Sequence, residues 1–591
     1  MKTRLIASLL LSFGAFAGDA PAGLYEQPGV PKPECEIDRL VFSKLAELGV
    51  QPALCSDTVF VRRAYLDVIG KLPTMQEARD FLQDRDPKKR QALIDRLLAR
   101  DEFADYWAMK WGDLLRVKAE FPINLWPNAA QAYHQWIRTS IHQNKPYDRF
   151  VRELLTSNGS NFRVAPVNFY RAMQNRTPDG IAAVVALTFM GSRVASWDRK
   201  YLPYLSVFFA QISYKPTREW KEEIAFWDPD KVYVPPGTHP TQPVPSVAAA
   251  PAAPASPPAA TLSTPAPGGT QKPPEAPSVG PRKPSDPAVE KPAGKDPAAS
   301  ARPVGNNMPV VSVFPDGTPA LLYPDRDPRE IFADWLISPE NPWFAKNIVN
   351  RIWSWLLGRG IVHEPDDIRP DNPPCNPELL ACLEKELIAS NYDLKHIYRL
   401  ILHSKVYQLS SMTPVSDPRA DVHFARYPLR RMEAEVLIDA ICQVTGTKEL
   451  YTSPIPEPFT FIPPDLTAVA IPDGSITSPF LELFGRSPRD TGLESERSNK
   501  PMPAQRLHML NSSHIQRKLE ESAKMKAVIK YDRKPREIVA ELYLTILSRL
   551  PTETEMSHAE TYAKSKAVKG QEGFVDLAWA LLNSIEFLYR H

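Results

Sequence analysis

The sequence predicts a mainly α protein made of two helical domains, which are joined by a disordered linker rich in proline and alanine. Amphipathic segments with helical spacing occur in both halves, whereas the alternation typical of strands is scarce. Between the halves, residues 235–303 contain 20 prolines and no periodic pattern of large hydrophobic residues. Such a segment buries too little apolar surface to offset the entropy of ordering it, so we expect an extended spacer over 234–308.

The composition excludes several classes of protein. The chain has 591 residues, of which 43% are hydrophobic and 24% charged, as in an ordinary globular protein. Its formal net charge of +2 is far below that of a nucleic-acid-binding protein, so we expect no nucleic-acid partner. Five cysteines exclude a disulfide-rich scaffold, and none of them lies in a C-x-x-C motif. Cys35 and Cys55 are the better candidates for a disulfide, since Cys375 and Cys382 would be about 10 Å apart on one helix.

The first 17 residues predict a signal peptide. Lys2 and Arg4 provide the positive start, residues 6–13 the apolar stretch, and residues 15–17 (Ala-Phe-Ala) the small-x-small cleavage site. This stretch is shorter than the ~20 residues of a spanning helix, and no later segment reaches that length. We therefore expect an exported chain in the periplasm, the cell envelope or the extracellular space, without a transmembrane segment.

The N-terminal domain is predicted over 18–233. Apolar residues between Ile37 and Leu48 lie on one helical face, and Gly49 follows as a stop. Thr74 and Glu77 form a capping-box pattern at the start of another helix, and 92–98 continues the helical spacing.

The C-terminal domain is predicted over 309–591. Its amphipathic helical segments are 378–389, 394–402, 433–444 and 536–547, and the best strand candidate is 309–314. We expect many prolines at the first turns of helices, where the missing N–H costs nothing.

A short pattern occurs twice. The first copy is Tyr65-Leu66 followed by Leu72-Pro73-Thr74-x-x-Glu77, and the second is Tyr543-Leu544 followed by Leu550-Pro551-Thr552-x-x-Glu555. Each copy continues to a leucine pair and a Glu-Phe, at 102–103 and 586–587. We interpret the pattern as a duplicated structural module.

Dense and unusual strings occur in both halves. They include Arg62-Arg63-Ala64-Tyr65-Leu66-Asp67, Trp107-Ala108-Met109-Lys110-Trp111, Asn341-Pro342-Trp343-Phe344-Ala345, Asn350-Arg351-Ile352-Trp353, Asp366-Asp367-Ile368-Arg369, Tyr407-Gln408-Leu409-Ser410 and Phe484-Gly485-Arg486. Together they resemble a two-domain family of unknown function that is abundant in Planctomycetes and Verrucomicrobia. In that family a cytochrome-c-associated helical domain precedes a planctomycete-specific helical domain.

The resemblance implies electron transfer, because many members carry a C-x-x-C-H haem-attachment motif before a Phe-Phe pair. Here residues 189–209, which end in Phe208-Phe209, contain no cysteine or histidine. Many relatives also have a Cys-x-Cys before Glu-Arg, where this chain reads Glu494-Ser495-Glu496-Arg497. Covalent haem needs both thiols and the axial histidine, so a c-type cytochrome is disfavoured. We predict no cofactor and no metal site.

The densest polar cluster, residues 366–372, follows the helix that contains Trp353. The candidate binding residues are Asn350, Arg351, Trp353, Asp366, Asp367, Arg369, Glu496 and Arg497. Three interpretations stay open: structural caps and ion pairs, binding of a sugar or cation, and paired carboxylates for glycosidic cleavage. Tryptophans such as Trp107 and Trp111, four residues apart, are expected in the core, although aromatic platforms also suit carbohydrate recognition.

These observations favour an exported protein of unknown function that serves as a non-enzymatic binding or assembly component of the cell envelope. Its expected partners are envelope proteins or polysaccharide. The alternative is a hydrolase of an extracellular polysaccharide that uses Asp366, Asp367 or Glu496 as acid and base.

Overall fold

The computed structural model describes residues 23–197, 201–231, 310–412, 417–530, 533–563 and 572–591. The predicted signal peptide and the predicted linker over 234–308 lie outside the described residues. The described residues on either side of that linker fold as one unit. They are mainly helical, so the predicted fold class of two helical domains is confirmed.

The N-terminal domain consists of helices with a small sheet near its end. The described helices are α1 (Glu36–Glu47), α2 (Asp57–Ile69), α3 (Met75–Gln83), α4 (Lys89–Leu98), α5 (Asp101–Leu114), α6 (Pro127–His142), α7 (Tyr147–Thr156), α8 (Asn168–Arg171), α9 (Pro178–Met190) and α10 (Tyr201–Ser206). The strands are β1 (Gly159–Ser160), β2 (Ile212–Pro216) and β3 (Glu223–Trp227), and β3 lies between the other two in an antiparallel sheet.

The C-terminal domain begins with a hairpin of β4 (Val310–Val313) and β5 (Pro319–Leu322), which confirms the predicted strand. The described helices are α11 (Pro328–Leu336), α12 (Phe344–Leu357), α13 (Pro377–Ala389), α14 (Leu394–His403), α15 (Pro418–Val422), α16 (Ala434–Thr445), α17 (Pro479–Leu483), α18 (Pro503–Asn511), α19 (Ser513–Glu520), α20 (Ala523–Val528), α21 (Pro535–Leu547), α22 (Glu553–Ala563), α23 (Glu572–Leu582) and α24 (Ile585–Leu588). Two short antiparallel strands, β6 (Arg430–Arg431) and β7 (Tyr589–Arg590), tie the last residues to the segment before α16.

The predicted helix signals have their expected geometry. Thr74 Oγ1 accepts from the Glu77 amide and the Glu77 carboxylate accepts from the Thr74 amide, which completes the capping box. Gly49 has a φ of +68°, a left-handed conformation that suits the residue after a helix. A proline occupies the first turn of α6, α9, α11, α13, α15, α17, α18 and α21. Many of the prolines outside the linker therefore lie in the first turns of helices in the two domains.

The two domains share one core. Trp107 and Trp111 of α5 are both buried, and their rings lie 5.5 and 6.1 Å from that of Trp355 in α12. The prediction that this tryptophan pair belongs to the core is confirmed. Within the described residues, no helix is long and apolar enough to cross a membrane.

Cys35 and Cys55, the better candidates for a disulfide, are both free cysteines. Cys35 is exposed before the first turn of α1, whereas Cys55 is buried with its Sγ 4.0 Å from Arg90 Nη1. Sequence separation made them the better pair, but it does not fix how two side chains are oriented in space.

Candidate functional site

The two domains are joined by side chains from the strings that carry the family resemblance. Asp67 of α2 is fully buried, and its carboxylate accepts from Arg590 at 2.7 Å and from the hydroxyls of Tyr407 and Tyr427 at 3.0 and 2.8 Å. The neighbouring Arg63 donates to the carbonyl oxygens of Tyr407 and Leu409 at 2.7 and 2.8 Å. These strings therefore hold the domains together.

Among the predicted site residues, Asp366 and Arg351 form a fully buried ion pair. Arg351 Nη1 lies 2.9 Å from Asp366 Oδ1, and Asp366 Oδ2 accepts from the amide of Glu494 at 2.7 Å. The Glu494 carboxylate in turn accepts from Trp355 Nε1 at 3.0 Å. Asp366 thus fixes the loop that carries Arg497.

Asp367 and Arg369 lie apart from this pair, in a surface turn. The Asp367 carboxylate accepts from Arg369 Nε at 3.1 Å, and Arg369 Nη1 donates to Asp371 at the same distance. Asn372 Nδ2 closes the turn by donating to the Asp367 carbonyl oxygen at 2.8 Å. These contacts are those of a stabilised turn.

Asn350 and Trp353 are buried on α12. The Asn350 side chain both donates to and accepts from the backbone of Val362, at 3.0 and 2.9 Å, and so pins the chain that leaves the helix. Trp353 packs edge-on against Phe424 with ring centroids 5.1 Å apart. Both residues support the core.

Arg497 bridges the two domains. Its Nη2 lies 2.7 Å from Asp113 in α5, and its Nη1 and Nη2 bind the Glu435 carboxylate of α16 at 2.5 and 2.9 Å. Glu496 makes a different contact, since its Oε1 accepts from the Thr491 amide at 2.7 Å within the same loop.

Arg497 belongs to a larger group that we call the interdomain ion cluster. Its members are Asp67, Lys110, Asp113, Glu433, Glu435, Arg489, Arg497 and Arg590. Lys110 Nζ lies 2.8 Å from Glu433, and Glu433 also pairs with Arg590. Each acid therefore has at least one cation beside it.

The cluster shifts the pKa values of Glu433, Glu435 and Arg497. Burial alone would raise the pKa of Glu433, but the charges of Arg590 and Lys110 outweigh it and hold that pKa well below its usual range. Glu435 is likewise buried, and Arg497 holds its pKa low. Burial would lower the pKa of Arg497, yet Asp113 and Glu435 raise it. These groups stay charged and paired near neutral pH.

A cleft beside the cluster is too small for a substrate. Lys110 and Asp113 line it from the N-terminal domain, and Ser487, Glu494 and Arg497 from the C-terminal domain. Its volume is about 10 Å³, which is room for about one water molecule. Within the described residues, no three His, Cys, Asp or Glu side chains are placed to hold a metal ion.

The sequence indicated part of this cluster. It singled out Arg497, and Asp366 and Arg351 prove to support the loop that carries it. It missed Lys110 as a site residue, and it missed Glu433 altogether. A signal was present, since a lysine inside the apolar run of α5 needs a buried acid as its partner.

Models of two protein families match most of the two domains. Residues 36–195 match PSCyt2, a protein of unknown function (DUF1549), and residues 328–563 match PSD1, a protein of unknown function (DUF1553). No curated protein and no solved structure matches the chain. Lys110 and Asp113 lie in the first matched region and Glu433 and Arg497 in the second, so the ion cluster joins the two matched domains.

Proposed function

Because the chain belongs to the two-domain family of unknown function in which a DUF1549 domain precedes a DUF1553 domain, we propose that it is an exported, non-enzymatic binding or assembly component of the cell envelope. One observation carries this proposal. The charged candidate residues are held in ion pairs and amide contacts, and the cleft that Arg497 lines has a volume of only about 10 Å³.

The pKa values of Glu433 and Glu435 argue against acid–base chemistry by these two residues. A general acid or base works best when its pKa lies near the operating pH. Glu433 and Glu435 are held well below that range by their cationic partners. The ion pairs instead connect two domains, which suits a rigid scaffold that presents its surface to a partner.

Export is the part of the proposal that rests on sequence. Lys2, Arg4 and the apolar residues 6–13 have the order of a secretory signal. Fractionation of the native host with an antibody to the C-terminal domain tests it. We expect the mature chain in the envelope fraction with residues 1–17 removed, and recovery of the uncleaved chain in the cytoplasm would contradict export.

The binding role is tested with the mature chain and purified envelope material from its host. We expect the protein to sediment with that material and to release no new reducing sugar ends. The hydrolase alternative predicts release that is lost in Asp366→Asn, Asp367→Asn or Glu496→Gln, with Glu553→Gln, a substitution of an exposed acid, as the matched control. Such a loss would overturn the proposal, as would a failure to sediment.

A further inference from the structure

The two domains complete each other's backbone hydrogen bonding. The Cys55 amide of the N-terminal domain donates to the carbonyl oxygen of Gln408 at 2.9 Å, and the Ser410 amide of the C-terminal domain donates to that of Ala53 at 2.7 Å. Further amide-to-carbonyl bonds between the domains run from Tyr147 to Tyr392, from Ile368 to Gly191 and from Gly474 to Val117. Since an unpaired buried amide costs free energy, each domain satisfies groups that would otherwise be left unpaired in the other.

Aromatic side chains of the two domains pack against each other. The Trp107 ring lies 4.4 Å from that of Tyr398, and the Phe103 ring packs edge-on against the same tyrosine at 5.5 Å. The Tyr147 ring stacks on that of Phe344 at 4.7 Å. All five of these residues are buried. Separation of the domains would therefore expose large apolar surfaces to water, which is unfavourable.

The charges of the interdomain ion cluster are complementary between the domains. The N-terminal domain contributes one cation, Lys110, and two anions, Asp67 and Asp113, so its share has a net negative charge. The C-terminal domain contributes three arginines and two glutamates, so its share has a net positive charge. Separation would leave buried charges without their partners, which is strongly unfavourable. The two surfaces are therefore matched in charge as well as in shape.

The linker takes no part in these contacts. The described residues on either side of it form one compact unit, and residues 236–308 do not belong to that unit. The linker contributes to the association of the domains through effective concentration, which is of the order of millimolar for a chain connection. Interfaces that resemble the interior of a domain are those of permanent complexes, which stay assembled without such a connection.

We propose that the N-terminal domain binds a C-terminal domain carried on a separate chain, so that the protein persists as a two-chain complex once the linker is cut. The surface that the domains bury against each other is then an association surface, and its partner is the complementary domain of the same protein. This goes beyond the binding role proposed above and does not depend on it.

Cleavage of the mature chain at a protease site inserted between residues 260 and 261 tests the proposal. We expect both fragments to elute together in size-exclusion chromatography at about 1 µM, with the light-scattering mass and the circular dichroism spectrum of the uncut chain. Their urea midpoint should rise with protein concentration, because unfolding then releases two chains, whereas that of the uncut chain should not. Fragments that separate or precipitate after cleavage overturn the proposal.

A second cleavage distinguishes the domain surfaces from the linker as the source of association. Protease sites inserted between residues 240 and 241 and between residues 300 and 301 release the intervening segment as a third fragment. We expect the two domains to remain together after its release. Dissociation of the domains at this step would show that the linker holds them, and the proposal would fail.

Substitutions in the ion cluster test whether its contacts provide the association. Lys110→Met removes a cation beside Glu433, and Asp113→Asn removes the acid beside Arg489 and Arg497. Each substitution should raise the dissociation constant of the cut complex at least about tenfold, because it leaves a buried charge in the other domain without one of its partners. Sedimentation of a dilution series measures this constant, and circular dichroism of each uncut variant establishes that it is folded.

Matched controls separate the interface from general effects of charge. Lys88→Met removes an exposed lysine, and Asp80→Asn removes an exposed acid whose side chain bonds to Gln76 within its own helix. Neither control should change the dissociation constant of the cut complex. If neither Lys110→Met nor Asp113→Asn weakens the complex beyond these controls, the ion cluster does not provide the association and the proposal is overturned.

Discussion

The two copies of the repeated pattern build the same cluster in different surroundings. In each copy one arginine pairs with two glutamates and lies over a tyrosine ring. The first cluster consists of Tyr65, Glu77, Arg100 and Glu102, and the second of Tyr543, Arg549, Glu555 and Glu586. The tyrosines and glutamates occupy equivalent positions of the pattern, so the two copies share contacts as well as sequence.

The copies differ in where the arginine comes from and how deeply it is buried. Arg100 precedes Glu102 and its side chain is 34% exposed, whereas Arg549 follows α21 and its side chain is 3% exposed. Arg62 of the first copy donates to the carbonyl oxygens of Ile546 and Phe587 in the second, at 2.9 and 2.8 Å. We therefore expect one local pattern to contribute differently to stability according to its burial.

The largest effect is expected from Arg549→Ala. This change leaves the carboxylates of Glu555 and Glu586 without their shared cation, and breaking a buried ion pair from one side costs about 3–5 kcal/mol. Urea unfolding of the mature chain, followed by circular dichroism, measures the loss. Arg536→Ala, which removes an exposed arginine paired with Glu553, is the control. A loss no greater than that of the control would show that burial does not distinguish the copies.

A smaller loss is expected where the copies touch each other. Arg62→Met keeps much of the side-chain volume but leaves the carbonyl oxygens of Ile546 and Phe587 unpaired, at roughly 1–3 kcal/mol for a buried group. The same unfolding experiment measures it, with Arg39→Met on the exposed face of α1 as the control. Equal stability of the two variants would mean that the copies do not stabilise each other through Arg62.

The two helix caps should contribute equally. Thr74 Oγ1 and Thr552 Oγ1 each accept from the amide three residues later, at 3.2 Å in both copies. Thr74→Ala and Thr552→Ala are each expected to cost about 1 kcal/mol, and serine at either position should restore most of it. A much larger loss for Thr552→Ala would show that its cap depends on the buried arginine beside it.

The sequence predicted the local part of this molecule well. Helical spacing, prolines at first turns and the capping box of Thr74 are set by neighbours within a few residues, and all of them are confirmed. The repeated pattern was also visible in the sequence. The contact between Lys110 and Glu433 could not be predicted in this way. These residues are more than 300 positions apart and meet only when the domains pack.

The sequence also could not show which of the candidate site residues lie together in the fold. Asp366, Asp367 and Arg369 are neighbours in sequence, yet the fold buries Asp366 against Arg351 and leaves the other two in a surface turn. Proximity along a loop does not fix which way each side chain points.

The smallest loss of unfolding free energy is expected from Arg100→Ala. The pH dependence of this loss distinguishes the first copy of the pattern from the second. The hydrogen bonds from Arg100 lower the pKa of Glu102 to about 2. A lowered carboxyl pKa stabilises the fold above the pKa of the unfolded chain, and this contribution disappears as pH falls towards 2. Because the pair is partly exposed, Arg100→Ala should cost less than about 1 kcal/mol near neutral pH.

That cost should shrink further at pH near 3, because Glu102 is then largely protonated in the unfolded chain. It should also shrink in high salt, because the charges of the pair are screened. In the second copy, burial would raise the pKa of Glu586, but Arg549 outweighs it and holds that pKa low. Since Arg549 and Glu586 are buried, the loss of unfolding free energy in Arg549→Ala should become smaller at acidic pH but should persist at high salt concentration. Urea midpoints of both variants, each measured at two pH values and two salt concentrations, test this. A salt response of equal size in both copies would contradict the argument that burial sets their difference.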